Sequence, residues 1–240
     1  MSSETWTPLP DLPPGHSGWR SSEDVILGPD DIPNVEELVI EDGKPVDNVF
    51  VEKQYRLLTE PLYSSWTPPN GPFWALANVG LFYQDGQPCL APDVMLSLGV
   101  PASRDLSLKV NRSYFMWIVG KPPDVVIEVV SDRRGGEDTD KMETYQRIGV
   151  TYYVIFDPLN RLKNGLLRGF VLSAGKYQPT EISWLENVGL GLTIWEGEFE
   201  GQQARWLRWC GRDGAVIPTG HERAERLAAQ LRALGIEPGA

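Results

Sequence analysis

Apolar side chains recur at helical spacing from Val49 to Trp66, through Phe50, Tyr55, Leu57, Leu58, Leu62 and Tyr63, until Pro68-Pro69 stops the pattern. That segment reads as an amphipathic helix. Short runs rich in Val, Phe, Tyr and Leu follow at 73–83, 91–98, 113–119 and 124–130, punctuated by Gly, Pro and Asp, and these read as strands. Gly-rich 131–137 then leads into a helix over 138–148, with Gly149 as its left-handed terminator. A strand over 151–156 comes next, closed by Asp157-Pro158. The order is strand, helix, strand. Between 166 and 209 the alternating segments LLRGFVL, GKYQP, GLGLTIW and ARWLRW predict a peripheral β-meander that extends the sheet.

The two ends of the chain differ in kind. The first 35 or so residues are rich in Pro, Gly, Ser and acids without sustained periodicity, and read as an extended arm. The tail has Thr219 and Glu222 in capping-box spacing and runs to Gly235, so it predicts a helix. Its seam of Ala224, Leu227, Leu231 and Leu234 suits packing on the body or a short coiled coil with a second chain, which makes a homodimer the expected assembly. The expected organisation is an arm over 1–35, a globular domain over 36–210 and a terminal helix over 218–236. No internal repeat is present.

Composition narrows the chemistry. With 240 residues, 41% hydrophobic and 23% charged, the chain is an ordinary globular one, which excludes wholesale disorder and a collagen-like repeat. No apolar run approaches the roughly 18 residues of a membrane helix, and the N-terminus lacks a secretory signal, so a soluble cytoplasmic protein with no membrane partner is expected. Cys89 and Cys210 are far apart and belong to no CxxC pair, which argues against a disulfide framework or a cysteine zinc site. The only histidines are His16, in the arm, and His221, at the start of the terminal helix. Catalysis must therefore run on carboxylates, Lys and Tyr rather than on a histidine triad or cage. The net charge of −11 argues at first against nucleic acid, yet residues 1–60 alone hold 13 acidic and 4 basic side chains. Residues 100–170, with 11 basic and 9 acidic side chains, are locally basic, so a DNA-binding face there is compatible with the charge.

The segment PPDVVIEVVSD places Val125, Ile127 and Val129 on one face of a strand, and Asp124, Val126, Glu128 and Val130 on the other. Glu128 thus sits inside an apolar run. A buried carboxylate needs a pairing cation, hydrogen bonds or a metal, and an Arg or Lys within the sheet is the commonest answer. Asp93 opens a second strand-like segment, APDVMLSL. Lys141 shares a helical stripe with Tyr145 and Ile148 that faces the sheet. Two carboxylates on adjacent strands would hold a hard divalent cation, and a lysine beside them would polarise a water or steady charge on a phosphate. That combination suits phosphodiester hydrolysis.

In order and spacing, APD at Asp93, PPDVVIEVVS at Glu128, DTDKMETY with Lys141 and Tyr145, and GVTYYVIFDP resemble the Uma-type family of restriction endonucleases. The upstream EDGKPVDN with its EKQ helix and the Ala- and Arg-rich terminal helix are similar to one branch of that family. The resemblance implies the PD-(D/E)XK nuclease fold: an α/β, restriction-endonuclease-like mixed central sheet flanked by helices, here with a β-meander extension and a C-terminal helix. It implies a DNA endonuclease in which Asp93 and Glu128 bind Mg²⁺ or Mn²⁺. Where the superfamily has its lysine, two residues after the second acid, stands Val130, and Lys141 matches a position on the following helix to which the Uma-type family displaces it. The Val129 carbonyl is a further metal ligand in this reading, and Tyr145 supports Lys141 or packs beneath it.

Other residues carry weaker signals. Glu52 is a candidate third acid, although a solvated helix face explains it as well. Asp124, after Pro123, shares a face with Glu128 but more often such a residue caps a turn. Arg133 and Arg134, between glycines and acids, are candidate DNA contacts or a solvated loop. Trp184, Trp195, Trp206 and Trp209 read as packing rather than as base-stacking platforms. Two alternatives to the nuclease remain: an inactive nuclease-fold module that binds DNA or regulates and dimerises through its terminal helix, and a metal-free glycosidase with a carboxylate pair.

Overall fold

The structure, a computed structural model, describes residues 48–69, 71–101, 105–131 and 139–237. Helix α1 spans Val49–Ser65, and Asn48 caps it by accepting the backbone N–H groups of Phe50 and Val51 through its side chain. Strands β1 (Phe73–Ala77), β2 (Leu81–Phe82), β3 (Val94–Leu98) and β4 (Tyr114–Phe115) follow, then a single-turn helix α2 (Met116–Val119). The centre of the chain is β5 (Val125–Val129), α3 (Asp140–Ile148) and β6 (Tyr152–Phe156). Strands β7 (Leu167–Ser173), β8 (Lys176–Pro179), β9 (Gly191–Phe199) and β10 (Gln202–Cys210) lead to the terminal helix α4 (Gly220–Ala233).

Six strands form one mixed sheet in the order β1-β3-β5-β6-β7-β8. Only the β5–β6 pair is parallel, as a connection through a helix requires. Every residue of β3, β5 and β6 is buried, which explains their near-continuous apolar sequences. One face of the sheet presents Val94, Leu96, Val125, Ile127, Val129 and Val154 to α1 and to the hairpin β9–β10. The other presents Met95, Val126, Tyr153 and Ile155 to Tyr145 of α3. Each such fully buried aliphatic side chain contributes about 1.5–3 kcal/mol relative to exposure. Gly149 ends α3 at φ 89°, and Val150 N–H donates to the Tyr145 carbonyl, the αL termination expected of that glycine.

Several sequence expectations are refined. The 73–83 segment divides into β1, which joins the main sheet, and β2, which pairs in parallel with β4. The 113–119 segment is mostly the single turn α2, because the alternation there is too short to override its closure by Gly120 at φ 83°. Strands β7 and β8 extend the sheet as expected, whereas β9 and β10 pair with each other as a separate hairpin. That hairpin is a wall of the core rather than periphery. Leu207 and Trp209 are buried, Gln54 of α1 exchanges two hydrogen bonds with the Leu207 backbone at 2.8 and 3.0 Å, and Trp209 Nε1 donates to the Leu58 carbonyl at 2.8 Å. Trp206 is likewise buried, stacked on Phe50.

Helix α4 is pinned at its start. The Thr219–Glu222 capping box is formed, and the Glu222 carboxylate also receives the buried Arg208 guanidinium at 2.7 and 3.1 Å. Burial raises the Glu222 carboxyl, but the hydrogen bonds from Arg208 and Thr219 outweigh it and leave the group below its usual range. Beyond that turn the seam is open: Leu227 and Leu234 are 51% and 75% exposed. No helix among the described residues is long and apolar enough to cross a membrane.

Candidate active site

The antiparallel register pairs Val94 with Ile127, so its continuation sets Asp93, just before β3, across from Glu128 near the end of β5. Glu128 lies on the face covered by α3, and Asp93, one residue before β3, is reached from the α1 side by Tyr55. Glu128 is completely buried. Its Oε2 accepts from Lys141 Nζ at 2.8 Å and its Oε1 from the Tyr145 hydroxyl at 2.8 Å. These two donors lie one helical turn apart on α3, the i, i+4 stripe that faces the sheet. Asp93 is held from two other sides: its Oδ2 accepts the Val129 N–H at 2.6 Å and its Oδ1 the Tyr55 hydroxyl at 2.5 Å.

Burial pushes the Glu128 carboxyl up to about 8, the Asp93 charge pushes the same way, and Lys141 and Tyr145 only partly offset them. Tyr145 is driven well above its ordinary value by its own burial and then by the Glu128 charge. Among the described residues, two carboxyl groups and the Lys141 amine therefore meet in a largely buried site at the ends of the central strands. Strongly shifted carboxyl groups beside a specific charged partner are characteristic of functional sites.

Asp93, Glu128, Lys141, Tyr145 and Val129 thus come together. Glu52 is engaged elsewhere: its carboxylate pairs with Arg56 one turn later at 2.7 Å, and its side chain is 56% exposed. Arg56 and Lys53 also grip Glu200 at the β9–β10 turn and hold its carboxyl down to about 2. Asp124 stands at the opposite end of β5, bonded to Lys121 Nζ at 2.5 Å and to the Leu98 N–H at 2.7 Å. Arg133 and Arg134 lie outside the described residues. Sequence reasoning passed over Tyr55, which it placed in the apolar stripe of α1. Nothing in a periodicity pattern separates a tyrosine that only packs from one whose hydroxyl meets an acid 38 residues away.

The Uma2 family model, described as "Putative restriction endonuclease", matches residues 44–196. The chain belongs to this family. The match takes in α1, the central sheet, α3 and all the residues of the pocket, and the mixed sheet with flanking helices is restriction-endonuclease-like. Membership in Uma2 puts a nuclease-type activity at the level of the family, with DNA as the implied substrate. No curated protein matches the chain significantly.

Proposed function

We propose that this Uma2 chain is a metal-dependent endonuclease that hydrolyses DNA phosphodiester bonds. The observation that carries the reading is the complete burial of Glu128 beside Asp93, under a lysine, at the strand ends. An acid so placed is costly for folding alone, since an apolar residue would fill the same space without desolvating a charge. The donor chemistry fits a hard divalent cation such as Mg²⁺ or Mn²⁺: paired carboxylate oxygens that repel each other, with the carbonyl of Val129 as a third oxygen. Among the described residues no group of three or more His, Cys, Asp and Glu side chains is arranged to hold a metal, so the proposed protein ligands are Asp93, Glu128 and that carbonyl. Bound there, the ion would supply Lewis-acid polarisation of the phosphate and acidify the attacking water.

The chain's own groups do the rest. Tyr55 and the Val129 N–H fix the Asp93 carboxylate, and Tyr145 fixes that of Glu128. Lys141, with 31% of its side chain exposed, keeps one face of its ammonium toward Glu128 and offers donors to a phosphate oxygen or a water. The site works without the lysine two residues after the second acid, because α3 brings Lys141 to the same carboxylate from above.

Incubation of the purified chain with Mg²⁺ or Mn²⁺ and plasmid or branched DNA is the direct test, with Glu128→Ala as comparison. The wild type is expected to cut and the variant to be inert; equal inertness of both across substrates and metals would remove the proposal. A second reading keeps the fold without cleavage, as a DNA-binding or regulatory module that dimerises through α4. It is favoured by the exposed seam of Leu227 and Leu234 and by an ion pair that already satisfies Lys141 and Glu128. Calorimetry showing no Mg²⁺ uptake, together with salt-sensitive DNA binding and a dimer by light scattering, would select it.

A further inference from the structure

The strand ends that carry the acid pair also carry the connection from β6 to β7. Strand β6 runs parallel to β5 and β7 runs back against β6, so residues 157–166 emerge beside Val129 and Glu128. The register extends the row further. Glu128 faces Ile155 and Ile155 faces Arg168, so Glu128, Ile155 and Arg168 line one face across three neighbouring strands. At about 4.8 Å per strand, the Arg168 backbone is about 10 Å from that of Glu128.

The connection is built rigidly and charged on one side only. Asp157, 1% exposed, accepts the N–H groups of Arg161 at 2.8 Å and Leu162 at 2.7 Å, and its own N–H donates to the Leu166 carbonyl at 2.8 Å. Asn160 Oδ1 closes the turn on the Gly165 N–H at 3.2 Å. The one acid between 157 and 173 is thereby turned inward onto backbone donors, while half-buried Arg161 and exposed Lys163 are the accessible cations of the segment, the Arg168 Nε and Nη2 being buried. On the α1 side Glu52 and Glu200 are matched by Arg56 and Lys53, so the charges there are already paired. Among the described residues a polyanion meets Arg161 and Lys163 on one flank and already paired charges on the other.

We propose that the DNA backbone runs from the cleavage point along the β6–β7 flank, with Arg161 and Lys163 taking the phosphates next to the one at Asp93 and Glu128. This rests on the nuclease reading and assigns the side on which its substrate lies. Phosphate contacts of this kind position a duplex without reading its sequence, and each adds about one to the slope of log affinity against log salt.

The test is anisotropy with a short fluorescein-labelled duplex, titrated across salt with Ca²⁺ replacing Mg²⁺, on the full chain. The double variant Arg161→Ala/Lys163→Ala is expected to bind about tenfold more weakly at low salt and to lose about two from the slope. Lys176→Ala, on the exposed β7–β8 turn at the opposite strand ends, should change neither, and circular dichroism melts should show every variant folded. Wild-type affinity and slope in the double variant would overturn this assignment while leaving the nuclease reading intact, provided Glu128→Ala still abolishes cutting. A wild type that binds no duplex at all would overturn both.

Discussion

Strand β5 carries an acid–lysine pair at each end, and the two pairs are built for different ends. At the start of the strand Asp124 accepts from Lys121 and the Leu98 N–H, while Lys121 also donates to the Leu98 carbonyl at 3.0 Å. Both side chains there keep some contact with solvent, 24% for Asp124 and 18% for Lys121. Every group has a complement, and the cluster closes the turn before β5. At the other end Glu128 is fully buried, the charge of Asp93 opposes its ionisation, and Lys141 reaches it from a partly exposed position on α3. An ion pair in itself therefore marks no function. The complete burial of one acid beside a second is what distinguishes the second end.

The sharpest way to break that comparison is to remove each acid in turn. Glu128→Ala should lower DNA cleavage by at least about 10³-fold, as expected when a group that holds charge at the reacting centre is lost. Asp124→Ala should leave cleavage within a few-fold and instead cost about 1–3 kcal/mol of stability, because the Leu98 N–H and Lys121 lose their acceptor. Plasmid nicking rates and urea melts on the same preparations separate the two outcomes. Equal effects on cleavage would mean that both ends are structural. The lysines should divide in the same way: Lys141→Met is expected to lower the cleavage rate about 10²-fold, and Lys121→Met to leave it nearly unchanged.

Much of this contrast was legible in the sequence, and the reason is periodicity. A glutamate at the fourth position of VVIEV violates the apolar pattern of a buried strand, and Lys141 and Tyr145 at i, i+4 share the stripe that must face that strand. Asp93 was legible because it opens a strand-like segment directly after Pro92 and matches the first acid of the resembled family, whereas the pairing of its strand with β5 is set by long-range contacts. The partition of the sheets was harder to read. Alternation in GLGLTIW and ARWLRW marks strands, but whether a strand continues a sheet or folds over it is decided by long-range contacts such as Gln54 with Leu207. Tyr55 was hidden for the same reason, since its meeting with Asp93 depends on how α1 crosses the sheet. The pinning of α4 by buried Arg208 also depends on distant packing, because an arginine in an alternating strand normally reads as a solvated residue.

Acidity gives a third, smaller contrast. The Glu128 carboxyl is raised from 4.5 to about 8 in the folded chain, so between those values the folded state holds a proton that the unfolded state has released. For this group, stability of the metal-free protein is fully present below about pH 4.5 and is lost as pH rises toward 8, where the penalty levels off. Glu128→Gln should remove that slope and stabilise the metal-free chain at pH 8. Urea denaturation of both proteins from pH 5 to pH 8 in EDTA measures the difference. Because the acid is mostly protonated at neutral pH, Mg²⁺ uptake there should release a proton, seen as a dependence of the calorimetric heat on the buffer. A flat difference between the two proteins would mean that Glu128 is ionised throughout.

The smallest effect belongs to the hydroxyl groups that steady each end. Tyr145→Phe keeps the ring against Tyr153, 5.2 Å between centroids, and deletes only the donor to Glu128 Oε1. That donor favours the ionised carboxylate, so its loss should raise the Glu128 carboxyl further and move the alkaline rise of the cleavage pH profile upward. The cost in rate at neutral pH should be about tenfold or less, the size of one hydrogen bond to a charged group. Its counterpart is Tyr114→Phe, which deletes the hydroxyl bonded to Ser97 and to the Lys121 carbonyl near the start of β5. That change should lower stability by about 1 kcal/mol and leave the pH profile where it was. If Tyr114→Phe moved the profile as far as Tyr145→Phe, the titrating group that governs cleavage would not be confined to the Glu128 pocket, and the contrast between the two ends of β5 would fail at its most sensitive point.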